Sequence, residues 1–64
     1  MRIVLPDQTL RKVAHGPCSV NEVLLSLGIN PLEVIVSRNG ILVPEGTLVS
    51  ADDEIRIIRI AHGG

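Results

Sequence analysis

Few side chains in this sequence could do chemistry, and their spacing narrows the field further. His15 and Cys18 lie three apart in "HGPC", and His62 is the only other imidazole. A closed zinc site takes four ligands, so this set predicts no metal. Cys18 is the sole cysteine, which excludes an internal disulfide. It stands just ahead of a helix start, where a thiol of lowered pKa would be a nucleophile, but no base or orienting third group sits beside it in sequence. Its other reading is a small half-buried residue. Asp52, Asp53 and Glu54 form an acidic run that a solvated turn explains better than general acid–base work does. There is no phosphate-cradling G-x-x-x-x-G-K-[ST] and no nucleophile elbow. The chain is therefore not expected to be an enzyme or to bind a cofactor.

One reactive group is left, the carboxylate of Gly64 at the end of "RIAHGG". Terminal glycines often mark a frayed end. Two residues without Cβ also make a thin, extended probe able to thread a narrow channel. A terminal carboxyl titrates at about 3.3–3.7, so at neutral pH it is an anion able to attack phosphorus. It becomes an electrophile only after activation, in a site that excludes water.

Composition narrows the partners. The 64 residues are 45% hydrophobic with no Phe, Tyr or Trp, so the core must be aliphatic and no platform exists for stacking bases. Six Lys or Arg against seven Asp or Glu give a formal net charge of -1, and the cations are scattered. No direct nucleic-acid or membrane partner is expected. "MRIVLP" is too short for a signal sequence and is broken by Pro6, which predicts a cytoplasmic protein.

The elements that must position the tail follow from pattern. Residues 1–5 read as a strand, "PDQ" as a turn, and residues 9–15 as a second strand of poor alternation, with a bulge or irregular end expected. Ser19 and Glu22 form a capping box, and Val20, Val23, Leu24 and Leu27 make one apolar stripe. Gly28 fits a left-handed helix end and Pro31 forbids continuation, so a helix is predicted over 20–27. Two to three turns are too short to stand alone and must pack on a sheet. A strand over 33–38, the hairpin signal Asn39-Gly40 and a return strand 41–43 follow. Leu48 and Val49 are expected to plug the core, and residues 54–60 form the last strand. This order predicts an α+β fold with one helix across one face of a mixed sheet of four to five strands.

The last strand has two faces: Ile55, Ile57 and Arg59 against Arg56, Ile58 and Ile60. The first is expected to meet the helix. Ile58 and Ile60 would then lie on an uncovered face beside Arg56, with Val4 and Ile35 as candidates to join them. Such a face is either a docking surface or ordinary scattered surface apolar residues.

With these elements in place, the sequence resembles the ThiS/MoaD family of ubiquitin-like sulfur carriers. The likeness spans essentially the whole chain. "DDEIRIIRIAHGG" is similar to the family's acidic turn, last strand and Gly-Gly tail, and "VIVSRNGILVP" to its third strand and tight turn. The resemblance implies a β-grasp domain over 1–60 and a flexible tail, Ala61, His62, Gly63 and Gly64. It implies that a ThiF/MoeB-like enzyme uses ATP to adenylate Gly64, and that a persulfide donor converts the product to a thiocarboxylate. An acceptor synthase or tRNA thiolase would then use the sulfur for thiamin, molybdopterin or thiolated tRNA. The docking residues it suggests are Arg56, Ile58, Arg59, Ile60, Val4 and Ile35, with Arg59 either pairing an acidic group of the partner or simply solvated. His62 departs from the small residue frequent there, and the aromatic residues common on the family's docking face are absent. Two other roles are compatible with the tail or the fold: a modifier joined to lysines through Gly64, and a β-grasp binding module without acyl chemistry.

Overall fold

The computed structural model describes residues 1–14 and 16–60. Its elements are β1 (Arg2–Val4), β2 (Leu10–Lys12), β3 (Cys18–Ser19), α1 (Val20–Ser26), a 3-10 turn (Pro31–Glu33), β4 (Val34–Arg38), β5 (Ile41–Val43), β6 (Leu48–Val49) and β7 (Glu54–Arg59). Five strands form one sheet in the order β2-β1-β7-β4-β5, in which β1 and β7 run parallel and the other pairs antiparallel. The last strand thus sits in the middle of the sheet, between the first and the fourth. β3 and β6 form a separate two-stranded ladder.

Turn chemistry sets the registers. Asn39 and Gly40 both take positive φ, 52° and 87°, as a two-residue hairpin requires, and so fix Arg38 opposite Ile41 and Ser37 opposite Leu42. In the first turn the Asp7 carboxylate accepts from the Thr9 N–H at 2.9 Å, while Gln8 takes φ 73°.

The helix begins and ends as its sequence dictates. The Ser19 hydroxyl accepts from the Glu22 N–H at 3.1 Å. The return half of the capping box differs: Ser19 is held in the β3–β6 ladder, and the Glu22 carboxylate takes the Ser19 hydroxyl instead of its N–H. At the other end Gly28 has φ +73°, Ile29 N–H reaches Leu24 O at 2.9 Å and Gly28 N–H reaches Leu25 O at 3.1 Å, a Schellman closure. No atom outside its neighbours lies within 4 Å of a Cβ placed on Gly28, so a substitution there meets only backbone strain. Gly28→Ala is expected to lower stability by about 1–2 kcal/mol, measured by urea unfolding, and Gly28→Asn by visibly less.

The core is aliphatic and lies between α1 and the sheet. Val20, Val23 and Leu24 meet Ile3, Val34, Val36, Ile55 and Ile57, with Met1, Cys18 and Val49 closing the ends. Leu27 and Ile29 pack at its margin. The predicted helix stripe and the predicted core face of the last strand, Ile55 and Ile57, are the ones observed.

Several boundaries differ from expectation. The second strand is only Leu10–Lys12 and all three residues are exposed, because β2 is an edge strand beyond the reach of the helix and nothing enforces alternation. Val49 is buried but Leu48 is exposed: in an extended ladder neighbours face opposite ways, and only the residue opposite buried Cys18 points inward. The fourth strand starts at Val34, since Asn30 caps a 3-10 turn with Pro31 at its first position. β7 ends at Arg59, although the Ile60 N–H still donates to Glu33 O at 2.9 Å. The tail over 61–64 lies outside the described residues.

The acidic run before β7 is a structural clasp. Asp53 accepts from the Ser50 N–H at 2.9 Å and from the Asn39 amide at 3.1 Å, and the Glu54 N–H donates to Asn39 Oδ1 at 2.9 Å. The Ser50 N–H first, and then the Asn39 amide, hold the Asp53 carboxyl below its ordinary range. A carboxyl whose folded pKa is depressed stabilises above its unfolded value, about 3.9, and loses that contribution as pH falls through the folded value. Asp53→Asn is therefore expected to lower stability at neutral pH and to flatten its fall below about pH 4, read from urea midpoints across pH.

Candidate docking face

The helix covers one side of the sheet and leaves the other open. Alternation along β7 sends Arg56 and Ile58 to the open side, and registry completes the face. Ile35 of β4 lies directly opposite Ile58, and Val4 of β1 is the partner of Arg56. Ile35, Ile58 and Ile60 are 40%, 39% and 40% exposed, and Val4 is half-buried. The sequence-predicted group Val4, Ile35, Arg56, Ile58 and Ile60 is thus assembled on one side, where the chain leaves the sheet. Ile35 and Ile58 are cross-strand neighbours, and covering the apolar surface they leave exposed would be worth about 25 cal/mol per Å².

Two residues of this face escaped sequence reading. Leu42 lies opposite Ser37, which is itself opposite Arg56, and Leu10 lies opposite Val4; they are 62% and 51% exposed. Leu42 was computable, because a two-residue Asn-Gly loop fixes its register. Leu10 was not, since the longer first turn leaves register open. Ser37, between Leu42 and Arg56, is buried. The Arg56 guanidinium has no hydrogen-bond or ion-pair partner among the described residues, whereas that of Arg2 pairs Glu54 at 2.6 Å and that of Arg38 donates to Leu48 O at 3.0 Å. The face therefore offers an aliphatic patch around the uncommitted guanidinium of Arg56.

Arg59 is placed elsewhere. It shares the helix side with Ile55 and Ile57 and lines a cleft with Leu27 and Ile29. Cys18 is buried, and burial, followed by the nearby Glu22 carboxylate, pushes its thiol up. That is opposite to the shift a nucleophilic thiol needs. His15 and His62 lie outside the described residues, as do Ala61, Gly63 and Gly64. Among the described residues no three His, Cys, Asp or Glu side chains gather as a metal would require. Nor is any described helix long and apolar enough to cross a membrane.

A model of the ThiS family matches residues 5–64. The chain belongs to the ThiS family. Proteins of this family are small sulfur carriers. No curated protein matches the chain. Among solved structures, the chain resembles the crystal structure of a thiamine biosynthesis protein (ThiS) from Geobacter metallireducens. The TM-score is 0.70 at 21% identity, with 100% of each chain covered. It also resembles an NMR structure of a thiamine biosynthesis protein from that organism, with TM-score 0.63 at 22% identity, covering 100% of this chain and 88% of the other. The fold is the β-grasp expected of a ThiS-family member, with one helix on a mixed five-stranded sheet.

Proposed function

We propose that this chain carries sulfur for thiamine biosynthesis as a thiocarboxylate on Gly64. The observation that carries the reading is the family match through residue 64, so that the matched region includes Gly63-Gly64. The Geobacter proteins of the same fold, described as thiamine biosynthesis proteins, favour that pathway over molybdopterin or tRNA thiolation.

The chemistry divides between carrier and partners. An oxygen of the Gly64 carboxylate attacks the α-phosphorus of ATP in a ThiF/MoeB-like enzyme, and pyrophosphate leaves. A persulfide then attacks the acyl carbon and AMP leaves; thiol reduction of the resulting acyl disulfide frees the thiocarboxylate. An acceptor synthase consumes it. The carrier supplies no acid or base. It supplies a slim terminus and a face by which the enzyme grips the domain, which turns a bimolecular attack into a positioned one. Val4, Ile35, Arg56, Ile58 and Ile60 are the residues assigned to that grip.

The test is intact-mass analysis after incubation with the adenylating enzyme of the same genome, ATP and a persulfide donor. The expected product gains the mass difference of one sulfur for one oxygen, on Gly64 and only with ATP present. An unchanged mass, with no ATP–pyrophosphate exchange, refutes the reading.

A further inference from the structure

We propose that a cleft on the helix side of the sheet, at the root of the C-terminal segment, is a second contact site, taking a carboxylate-bearing, partly apolar peptide segment of the enzyme that activates Gly64. The inference rests on the sulfur-carrier reading and adds a site that the open face does not include.

The cleft is open and encloses about 240 Å³. Its floor is Leu5, Leu27 and Ile29, all half-buried at the margin of the core. Its rim carries Arg11 and Arg59, with Asp7 as the one acid among its lining residues. Arg11 arrives there because it is the register partner of buried Ile3, on the edge strand that the helix does not cover. Arg59 arrives by alternation from Ile55 and Ile57. Neither guanidinium has a hydrogen-bond or ion-pair partner among the described residues. Asp7 is committed to its own turn, where its carboxylate accepts from the Thr9 N–H at 2.9 Å. Hydrogen bonding by the Thr9 side chain first, and by its N–H second, lowers the Asp7 pKa, with the attraction of Arg11 a minor cause. Two cations thus face the cleft against one occupied anion.

Guanidinium groups select planar oxyanions, and each binds a carboxylate in bidentate fashion. An aliphatic floor beneath them suits a peptide that brings an apolar side chain next to its acid. Nucleic acid fits poorly, because the chain carries net charge -1 and no aromatic residue to stack a base. Position connects the cleft with the tail. Arg59 precedes Ile60, the last described residue, so a protein that encloses residues 61–64 meets Arg56 on one side of the sheet and Arg59 on the other. Exposed charges at such a rim govern encounter rate and salt dependence more than catalysis.

The test is steady-state adenylation by the same enzyme, with carrier, ATP and salt varied in turn. The double variant Arg11→Glu/Arg59→Glu is expected to raise KM for the carrier about ten-fold with kcat unchanged, the gap closing as salt rises toward about 0.5 M. Arg11→Lys/Arg59→Lys, which keeps the charge, is expected to recover most of the loss. Both residues are exposed, and far-UV circular dichroism checks the fold. If the glutamate variant does not fold, Arg11→Gln/Arg59→Gln replaces it, with an expected rise of about three-fold. An unchanged KM for the carrier overturns the inference while the carrier reading stands. A changed KM for ATP instead would assign the cleft to nucleotide phosphates and overturn it too. A wild-type chain that the enzyme never adenylates removes both.

Discussion

Replacing Ile57 with alanine is expected to bring the domain close to half unfolded in water, whereas the same change one residue along, at Ile58, is expected to cost less than about 1 kcal/mol. The two isoleucines are neighbours on β7 with the same chemistry, and only the side of the sheet differs. Ile57 is 1% exposed, packed among the aliphatic residues under α1, while Ile58 is 39% exposed on the open face. Truncating a buried isoleucine removes its transfer free energy and leaves a cavity, about 2–5 kcal/mol in total. A domain of this size has only about 3–5 kcal/mol to lose. No aromatic ring is present to fill the gap, and the surrounding β-branched side chains repack poorly. Far-UV circular dichroism in urea reads the result, since the chain has no Trp or Tyr to report by fluorescence. With a slope of about 1 kcal/mol per molar urea, the Ile57→Ala midpoint should fall by about 3 M. Ile58→Ala should keep its midpoint and instead raise KM for the carrier in adenylation by about ten-fold, as loss of a central interface contact does. If both variants were equally unstable, the open face would be part of the core and not a docking surface.

That contrast also shows why much of this fold was readable from sequence. Period-two alternation in "EIRIIRI" assigned Ile55 and Ile57 to one side, and the single stripe Val20, Val23, Leu24, Leu27 told which side needed them. Asn39-Gly40 carried its own register, and Gly28 its own helix end. Each of these signals is local. The misses were non-local. Leu48 and Val49 are equally apolar, and only the pairing of Val49 with Cys18 thirty-one positions earlier decides which is buried. β2 is cut to three residues because it lies at an edge, and edge position follows from the whole strand order. The clasp of Asp53 on Ser50 and Asn39 likewise depends on two loops meeting. For the candidate docking face, the members contributed by β7 could be listed from alternation. Val4 and Ile35 were already candidates for the same face, and the central placement of the last strand is what sets them beside Arg56 and Ile58. The cleft of Arg11 and Arg59 was not legible at all, because its two cations come from strands separated in the sheet by β1.

Deleting Gly64 should abolish thiocarboxylate formation while leaving the urea midpoint unchanged, because the described fold makes its last backbone bond at Ile60. The size of the loss follows from geometry. The proposed attack joins a carboxylate oxygen to the α-phosphorus of a nucleotide fixed inside another protein, and the carrier is gripped by its sheet. Shortening the chain by one residue withdraws the carboxylate by about 3.3–3.6 Å. A misplacement of about 1 Å already costs about a hundred-fold in a positioned reaction, so the truncated chain should fall below detection in ATP–pyrophosphate exchange. Gly64→Ala separates reach from width. It keeps the carboxylate in register but adds a Cβ where a narrow channel must close and where the φ of glycine is free. It should react at least ten-fold more slowly than the parent chain and still acquire sulfur in the intact-mass assay. The two variants must rank in that order if the terminus works as a probe of fixed length. Full activity after deletion of Gly64 would show that the activated carbonyl lies elsewhere, and the carrier reading would fail with it.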